Sequence, residues 1–272
     1  MKTQNIFTSV VLALSASVAM SNSAKAGTFV TNFSPNPVID PTADITLDSI
    51  IRNDGRMISD FQLVSSVNII TTGGVPGTVS TDNGDTATPP PGLNPNENPS
   101  AAEIAAYLGN KNLNNIIDSE DNGEFELDVF FDSPVLSDNT ASDSFFFWER
   151  GLNSSIQLQA LDESGNLIGN AFTIDKSLWE LAGFQIKTTE ITQAQDVGAF
   201  GVSFANLGLT SGTLVSGLKL IAFDSFNGPD FKLLAHTSIC CVPIPEPATM
   251  MGLGAVAGLM LMRRRQSRTK TV

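Results

Sequence analysis

The sequence predicts an all-β protein: a jelly-roll-like β-sandwich with a short helical insertion, a signal peptide in front and a single transmembrane helix behind. Three observations carry this reading. From residue 124 to about residue 235 the chain is a succession of short runs rich in Val, Ile, Phe and Thr, broken by Gly, Asn and Asp turns. Several of these runs alternate apolar and polar residues, the period of a strand with one wet face. Helical spacing is confined to residues 100–117, which favours a sandwich over an α/β fold.

Residues 1–26 read as a secretory signal peptide. Lys2 supplies the positive start, residues 6–20 are apolar and uncharged, and Ala24-Lys25-Ala26 forms a small-x-small cleavage site before Gly27. An uncleaved anchor is the alternative, but the apolar stretch is short for a span and ends in Ser21-Asn22-Ser23. The β-rich extracellular body then occupies residues 27–239. Its opening carries Pro35, Pro37 and Pro41, which confine a strand at 29–33 to an edge. Residues 45–50 and 61–70 give two further β-rich runs. From 71 to 99 periodicity is lost among Gly73-Gly74, Asn83-Gly84 and Pro89 to Pro91, so an exposed loop is expected.

The helical segment follows at about 100–117. Ser100 and Glu103 have capping-box spacing behind Pro99, and Ala101 to Leu108 are good helix formers. A second short turn is expected over 111–117, with Leu113, Ile116 and Ile117 facing the core. Strict alternation over 125–130 sets Glu126 and Asp128 towards water. Residues 145–148 form a denser strand. The best hairpin joins 156–161 to 167–174 through Asp162-Glu163-Ser164-Gly165-Asn166. Residues 184–192, 197–204, 217–223 and 231–235 supply the remaining strands.

Charge is distributed unevenly. Of 15 Lys and Arg, seven lie in the two ends, whereas 27 of the 28 Asp and Glu precede Glu246. The body between Gly27 and Pro245 therefore holds 8 bases against 27 acids, a net charge near −19, more acidic than the −13 of the whole chain. Such a body repels polyanions, which excludes nucleic acid as a partner.

Residues 240–272 form a distinct tail. Pro245-Glu246-Pro247 precedes an uncharged apolar run over 248–262, and the basic tail 263–272 begins Arg263-Arg264-Arg265. A basic cluster directly behind the run holds that end in the cytoplasm and leaves the body outside. This order resembles the sorting signal of PEP-CTERM proteins. The resemblance implies recognition of Pro245, Glu246 and Pro247 by an exosortase, an integral-membrane cysteine protease, with Arg263, Arg264 and Arg265 as the cytoplasmic stop. It also implies a Gram-negative envelope and a link to extracellular polysaccharide. The expected partners are thus exosortase and the secretion machinery, and the membrane through the C-terminal helix before processing. The expected location is the cell surface or the extracellular space, reached from an inner-membrane-tethered precursor. In the body, residues 145–154 (Phe-Phe-Phe-Trp-Glu-Arg-Gly-Leu-Asn-Ser) and 228–232 resemble segments of cyanobacterial exosortase-dependent surface proteins, which have no assigned activity.

Candidate sites are few. Asp118, Glu120, Asp121 and Asn122 before Gly123 offer hard oxygen ligands of the kind calcium takes, but the twelfth position from Asp118 is Val129, so the turn is no EF-hand. A solvated turn is the competing reading, and the same holds for Asp224 and Asp230 around Asn227-Gly228. No other cofactor is expected. Trp148 beside Glu149 is the best candidate ligand contact, since tryptophan can stack on sugar; Glu149-Arg150 reads equally well as an ion-paired strand end. His236 lacks a partner for a nucleophile or a metal cluster. A bond between the adjacent Cys240 and Cys241 would be strained, leaving intermolecular pairing or free thiols. Asn153-Ser154-Ser155 fits a glycosylation pattern that means little by itself. The reading is therefore an exported structural or adhesive protein and not an enzyme; the alternative is a secreted carbohydrate-active, glycoside-hydrolase-like enzyme working through Glu149 and a second carboxylate.

Overall fold

The computed structural model of the protein describes residues 27–52, 54–73 and 77–238. Ala24, Ala26, Cys240, Cys241 and the sorting tail lie outside the described residues. In chain order the elements are β1 (Val30–Ser34), β2 (Thr46–Ile51), β3 (Met57–Ile58), β4 (Val64–Thr72), β5 (Ser80–Asn83), α1 (Ala101–Leu108), β6 (Asn115–Asp118) and β7 (Phe125–Leu136). They continue as β8 (Asp143–Arg150), β9 (Ile156–Leu161), β10 (Leu167–Ile174), β11 (Glu180–Ile186), β12 (Gln195–Ser203), β13 (Leu214–Ala222) and β14 (Phe231–Ala235).

Every residue of β8 is buried. Side chains of a strand alternate between faces, so Phe145 and Phe147 point one way while Phe146 and Trp148 point the other. Both directions lead into apolar cores. On one side Phe145 and Phe147 join Val129, Phe131, Leu158, Leu218 and Leu220. On the other, Phe146 and Trp148 join Phe29, Phe33, Leu47, Ile50 and Phe184. The protein is thus a β-sandwich with an additional layer. A six-stranded sheet, β11-β12-β8-β14-β6-β5, lies between a five-stranded sheet, β10-β9-β13-β7-β4, and a small sheet, β1-β2-β3.

Local chemistry explains the elements. The hairpin β9–β10 forms as the sequence predicts, with the Asp162 carboxylate accepting from the Ser164 and Asn166 amides and Gly165 at φ 78°. On the outer face of the five-stranded sheet Lys219 pairs with Glu126 and Asp128 across the β13–β7 register. Helix α1 carries the full capping box: the Ser100 hydroxyl accepts from the Glu103 amide, and the Glu103 carboxylate accepts from the Ser100 amide. Its last turn meets Lys232 of β14, whose fully buried amino group donates to the Tyr107 carbonyl and to Asn110 Oδ1. Burial pushes that lysine well below its ordinary pKa.

Two expectations are corrected. The stretch 71–99 is not loop throughout: β5 sits inside it with all four residues buried, paired to β6. Its side chains are polar yet satisfied internally; Asp82 accepts from Thr189, and Asn83 accepts from the Tyr107 hydroxyl. Over 111–117 there is a chain of asparagine turns leading into a strand instead of a helical turn. Asn110 Oδ1 accepts from the Asn112 amide and Asn112 Oδ1 from the Asn114 amide, after which β6 begins. Leu113, Ile116 and Ile117 are buried there as expected. Among the described residues no helix is long and apolar enough to cross a membrane.

Phe146→Ala opens a hole between the six-stranded and three-stranded sheets, and the expected loss is about 3–5 kcal/mol in urea unfolding. A loss under about 1 kcal/mol would mean that the small sheet is not packed on that ring.

Candidate functional site

The end of β8 is where the sheet becomes polar. Arg150 points to the same side as Trp148, and four segments bring acids to its guanidinium. Strand β5 delivers Asp82, β6 ends in Asp118, Asp230 stands immediately before β14, and the chain after β11 brings Thr188, Thr189 and Glu190. Arg150 Nη2 donates to Asp118 Oδ2 and to Asp230 Oδ2 at 2.8 Å; Nη1 donates to the Thr188 hydroxyl and reaches Asp82 Oδ2 at 3.4 Å. Asp82 Oδ1 also accepts from the Thr189 hydroxyl and amide, and Asp230 Oδ1 from the Ser119 amide. Glu190 lies at the rim and accepts from the Ser80 hydroxyl at 3.2 Å.

One guanidinium thus faces three aspartates, with Glu190 beside them. The charge is unbalanced, and burial raises the Asp118, Asp230 and Glu190 carboxyls. Burial, then Asp118 and Asp82, push Glu190 up to about 8. Asp118 is raised, chiefly by burial, and hydrogen-bonds the Asp230 carboxyl. Asp230 is raised well above the usual carboxylate range by burial and by Asp118. Burial alone would lower Arg150, but Asp230, Asp118 and Asp82 hold it above its ordinary value. On the opposite face of β8, Glu149 is buried and accepts from the Leu152 amide through Oε2 at 2.6 Å, while Oε1 has no hydrogen-bond partner. Desolvation pushes it up to about 8.

The predicted site residues separate. Trp148 and Glu149, expected as ligand contacts, are closed inside: the Trp148 ring packs edge-on against Phe29 at 5.3 Å and its indole N–H donates to the Thr31 hydroxyl at 3.0 Å. A sugar cannot stack on a ring already covered on its layer side by protein, so that expectation is corrected. Asp118 turns to Arg150, whereas Glu120, Asp121 and Asn122 line a cleft of about 600 Å³ with Glu124, Thr78 and Asp224. The four residues expected as one cation turn therefore do not converge. The second candidate turn divides in the same way, Asp224 to the cleft and Asp230 to the arginine. Among the described residues, Asp82, Asp118 and Glu190 do converge, one carboxylate oxygen of each lying within 4.8 Å of the others. An oxygen-only set of that size suits calcium, but the Arg150 guanidinium already binds Asp82 Oδ2 and Asp118 Oδ2. His236 contacts the Asp60 carbonyl through Nδ1 at 3.0 Å. Ser154 donates to the carbonyls of Asn227 and Gly228, so the glycosylation-like triplet is tied to the loop before β14.

Residues 243–265 match the family model of the PEP-CTERM protein-sorting motif. This motif implies export, exosortase-dependent processing and a C-terminal membrane anchor. No curated protein and no solved structure matches the chain.

Replacing Arg150 with Gln leaves Asp82, Asp118 and Asp230 buried without a cation. The expected loss at about pH 8 is about 3–5 kcal/mol in urea unfolding, shrinking as pH falls because burial raises Asp118 and Asp230; an equal loss at about pH 8 and about pH 5 would contradict the arrangement. A second outcome concerns the protein itself. Carboxyls raised on folding make the folded state bind more protons than the unfolded chain, so stability is fully present below the ordinary carboxylate range and is lost as pH rises through it to about 8. Melting temperature should fall between about pH 5.5 and about pH 8.5, and Glu149→Gln should flatten that slope; an unchanged slope would remove Glu149 from the account.

Proposed function

We propose that the protein is a structural or adhesive component of the cell surface or extracellular matrix, delivered there by exosortase processing and acting without catalysis. The observation that carries this reading is the sorting motif at 243–265 attached to a body whose densest charged constellation is spent on internal pairing. Asp82, Asp118, Asp230 and Glu149 are all committed to hydrogen bonds inside the sheets, where a glycosidic bond has no approach. A three-layer β body with two apolar cores suits a stable displayed module. Its charge near −19 selects among matrix partners. Neutral polysaccharide, or acidic polysaccharide bridged by divalent cations, is compatible; a bare polyanion is repelled.

Intact mass and both termini, read on protein from the native envelope and from the medium, test the delivery. Chains beginning at Gly27 and ending near Pro245 are expected; chains that retain the tail through Val272 would reject completed exosortase processing. Co-sedimentation with purified extracellular polysaccharide tests the adhesive part. Retention is expected with the cells' own polymer, and loss of retention on every matrix fraction would leave a structural role alone.

A further inference from the structure

The signal peptide and the fold meet at one residue. Gly27 follows the small-x-small cleavage site and is itself buried, its backbone nitrogen 3.2 Å from Asp143 Oδ1. Its carbonyl accepts from the Gly201 amide, also at 3.2 Å. Two residues on, Phe29 packs edge-on against Phe146 and Trp148 at 5.2 and 5.3 Å. The start of the body is therefore held inside the protein on both sides of the Gly27 peptide group.

Asp143 is the first residue of β8 and is fully buried. Its Oδ2 has no hydrogen-bond partner. The charged groups near it are Arg52 and Asp54. Arg52 donates to the Asp143 backbone carbonyl at 3.3 Å and pairs with Asp54 at 2.7 Å, so its charge is directed elsewhere. Gly201 lies against the carboxyl so closely that a Cβ there would sit 2.5 Å from Oδ2. Burial, offset in part by the Gly27 amide and Arg52, pushes the carboxyl up to about 7. As a peptide amide, Gly27 offers this carboxyl a single N–H and no charge.

We propose that signal-peptide removal completes this site: the new α-ammonium of Gly27 forms a buried ion pair with Asp143 and locks the start of the chain onto β8. The inference rests on the reading that export ends in cleavage before Gly27. In the step itself the Ala26–Gly27 peptide bond breaks with consumption of one water. The water oxygen goes to the Ala26 carbonyl carbon and both of its protons end on the Gly27 nitrogen, so the departing peptide leaves as a carboxylate and Gly27 is left as an ammonium. Three N–H donors and a positive charge then stand where one neutral N–H stood, enough to serve both carboxylate oxygens. The ion pair holds Asp143 ionised and raises the α-amine, so its stabilisation exists above the ordinary aspartate range and disappears as pH climbs past that of the amine. Cleavage thereby becomes a folding signal, since in the precursor the Asp143 carboxyl has the single Gly27 N–H while Arg52 is paired with Asp54, and in the mature body it gains a cation of its own.

The test uses the exported protein with its sorting tail, purified from a Gram-negative host, with the N-terminus sequenced first. It is compared with a variant carrying one serine inserted between Ala26 and Gly27, each with and without Asp143→Asn. With Gly27 at the terminus, Asp143→Asn should lower the melting temperature at about pH 7 by about 6–15 °C, and in the serine-extended chain by under about 2 °C. The native terminus alone should also lose stability between about pH 8 and about pH 10. Equal effects of Asp143→Asn in both backgrounds would overturn the pair. Should Asp143→Asn not fold, the inserted serine decides alone: a lower melting temperature supports the pair and an unchanged one overturns it. A mature chain starting elsewhere than Gly27 would instead remove the cleavage reading, and the pair with it.

Discussion

A strand in the middle layer of three has no wet face, and this changes what its sequence can be. β8 is that strand, and its Phe-Phe-Phe-Trp run satisfies two apolar cores at once by sending alternate rings to opposite sides. The neighbours are arranged around this demand. β12 and β14 flank it antiparallel along nearly its whole length, and Gly198 and Gly201 of β12 leave room where Trp179 and Asp143 press closest. The small sheet β1-β2-β3 covers Phe146 and Trp148, and its strands of five, six and two residues could not form a stable unit without that apolar surface to cover.

The same constraint dictates where charge can go. Polar residues at the two ends of β8 are carried into the interior with it, so each must find partners or a proton. Arg150 finds three aspartates and Glu149 keeps a proton, while Asp143 leans on the Gly27 nitrogen. A buried arginine among several carboxylates is weak as a source of net stability because desolvation offsets attraction. Its value is positional. It ties β5, β6, the chain after β11 and the start of β14 to one point, fixing strand ends that have few apolar residues of their own.

Much of this architecture was legible in the residues and some could not be. The hairpin β9–β10 and the capping box of α1 are local devices, written in neighbouring residues, and both stand where the sequence places them. β5 was hidden because Ser80, Thr81, Asp82 and Asn83 are all polar; their burial depends on Tyr107, Thr189 and Arg150, which are distant in sequence. The asparagine-rich run before β6 misled for a related reason, since Leu113, Ile116 and Ile117 suit a helical face as well as a strand behind turns. In the acid cluster, Asp118 was legible as a candidate but its partners were not. Proximity along the chain grouped it with Glu120 and Asp121, whereas the fold turns it towards Asp82 and Arg150. The one sequence signal for the hub was Glu149-Arg150 at a strand end, and it named the cation without naming its acids.

The distribution of charge also bears on how such a body suits display outside a cell. A net charge near −19 on the exported part would strain a compact fold if all of it were exposed at close spacing. The structure withdraws part of that charge from the surface. Asp118, Asp230, Glu149 and Asp143 lie inside, and their raised pKa values mean that protons and two buried arginines carry part of the neutralisation. The remaining acids of 120–124 and Asp224 are left outward around one cleft, away from the layers that hold the fold together. Acidity on the surface is thereby separated from acidity in the core. Changes in external salt act on the former through screening, while changes in pH act on the latter through protonation.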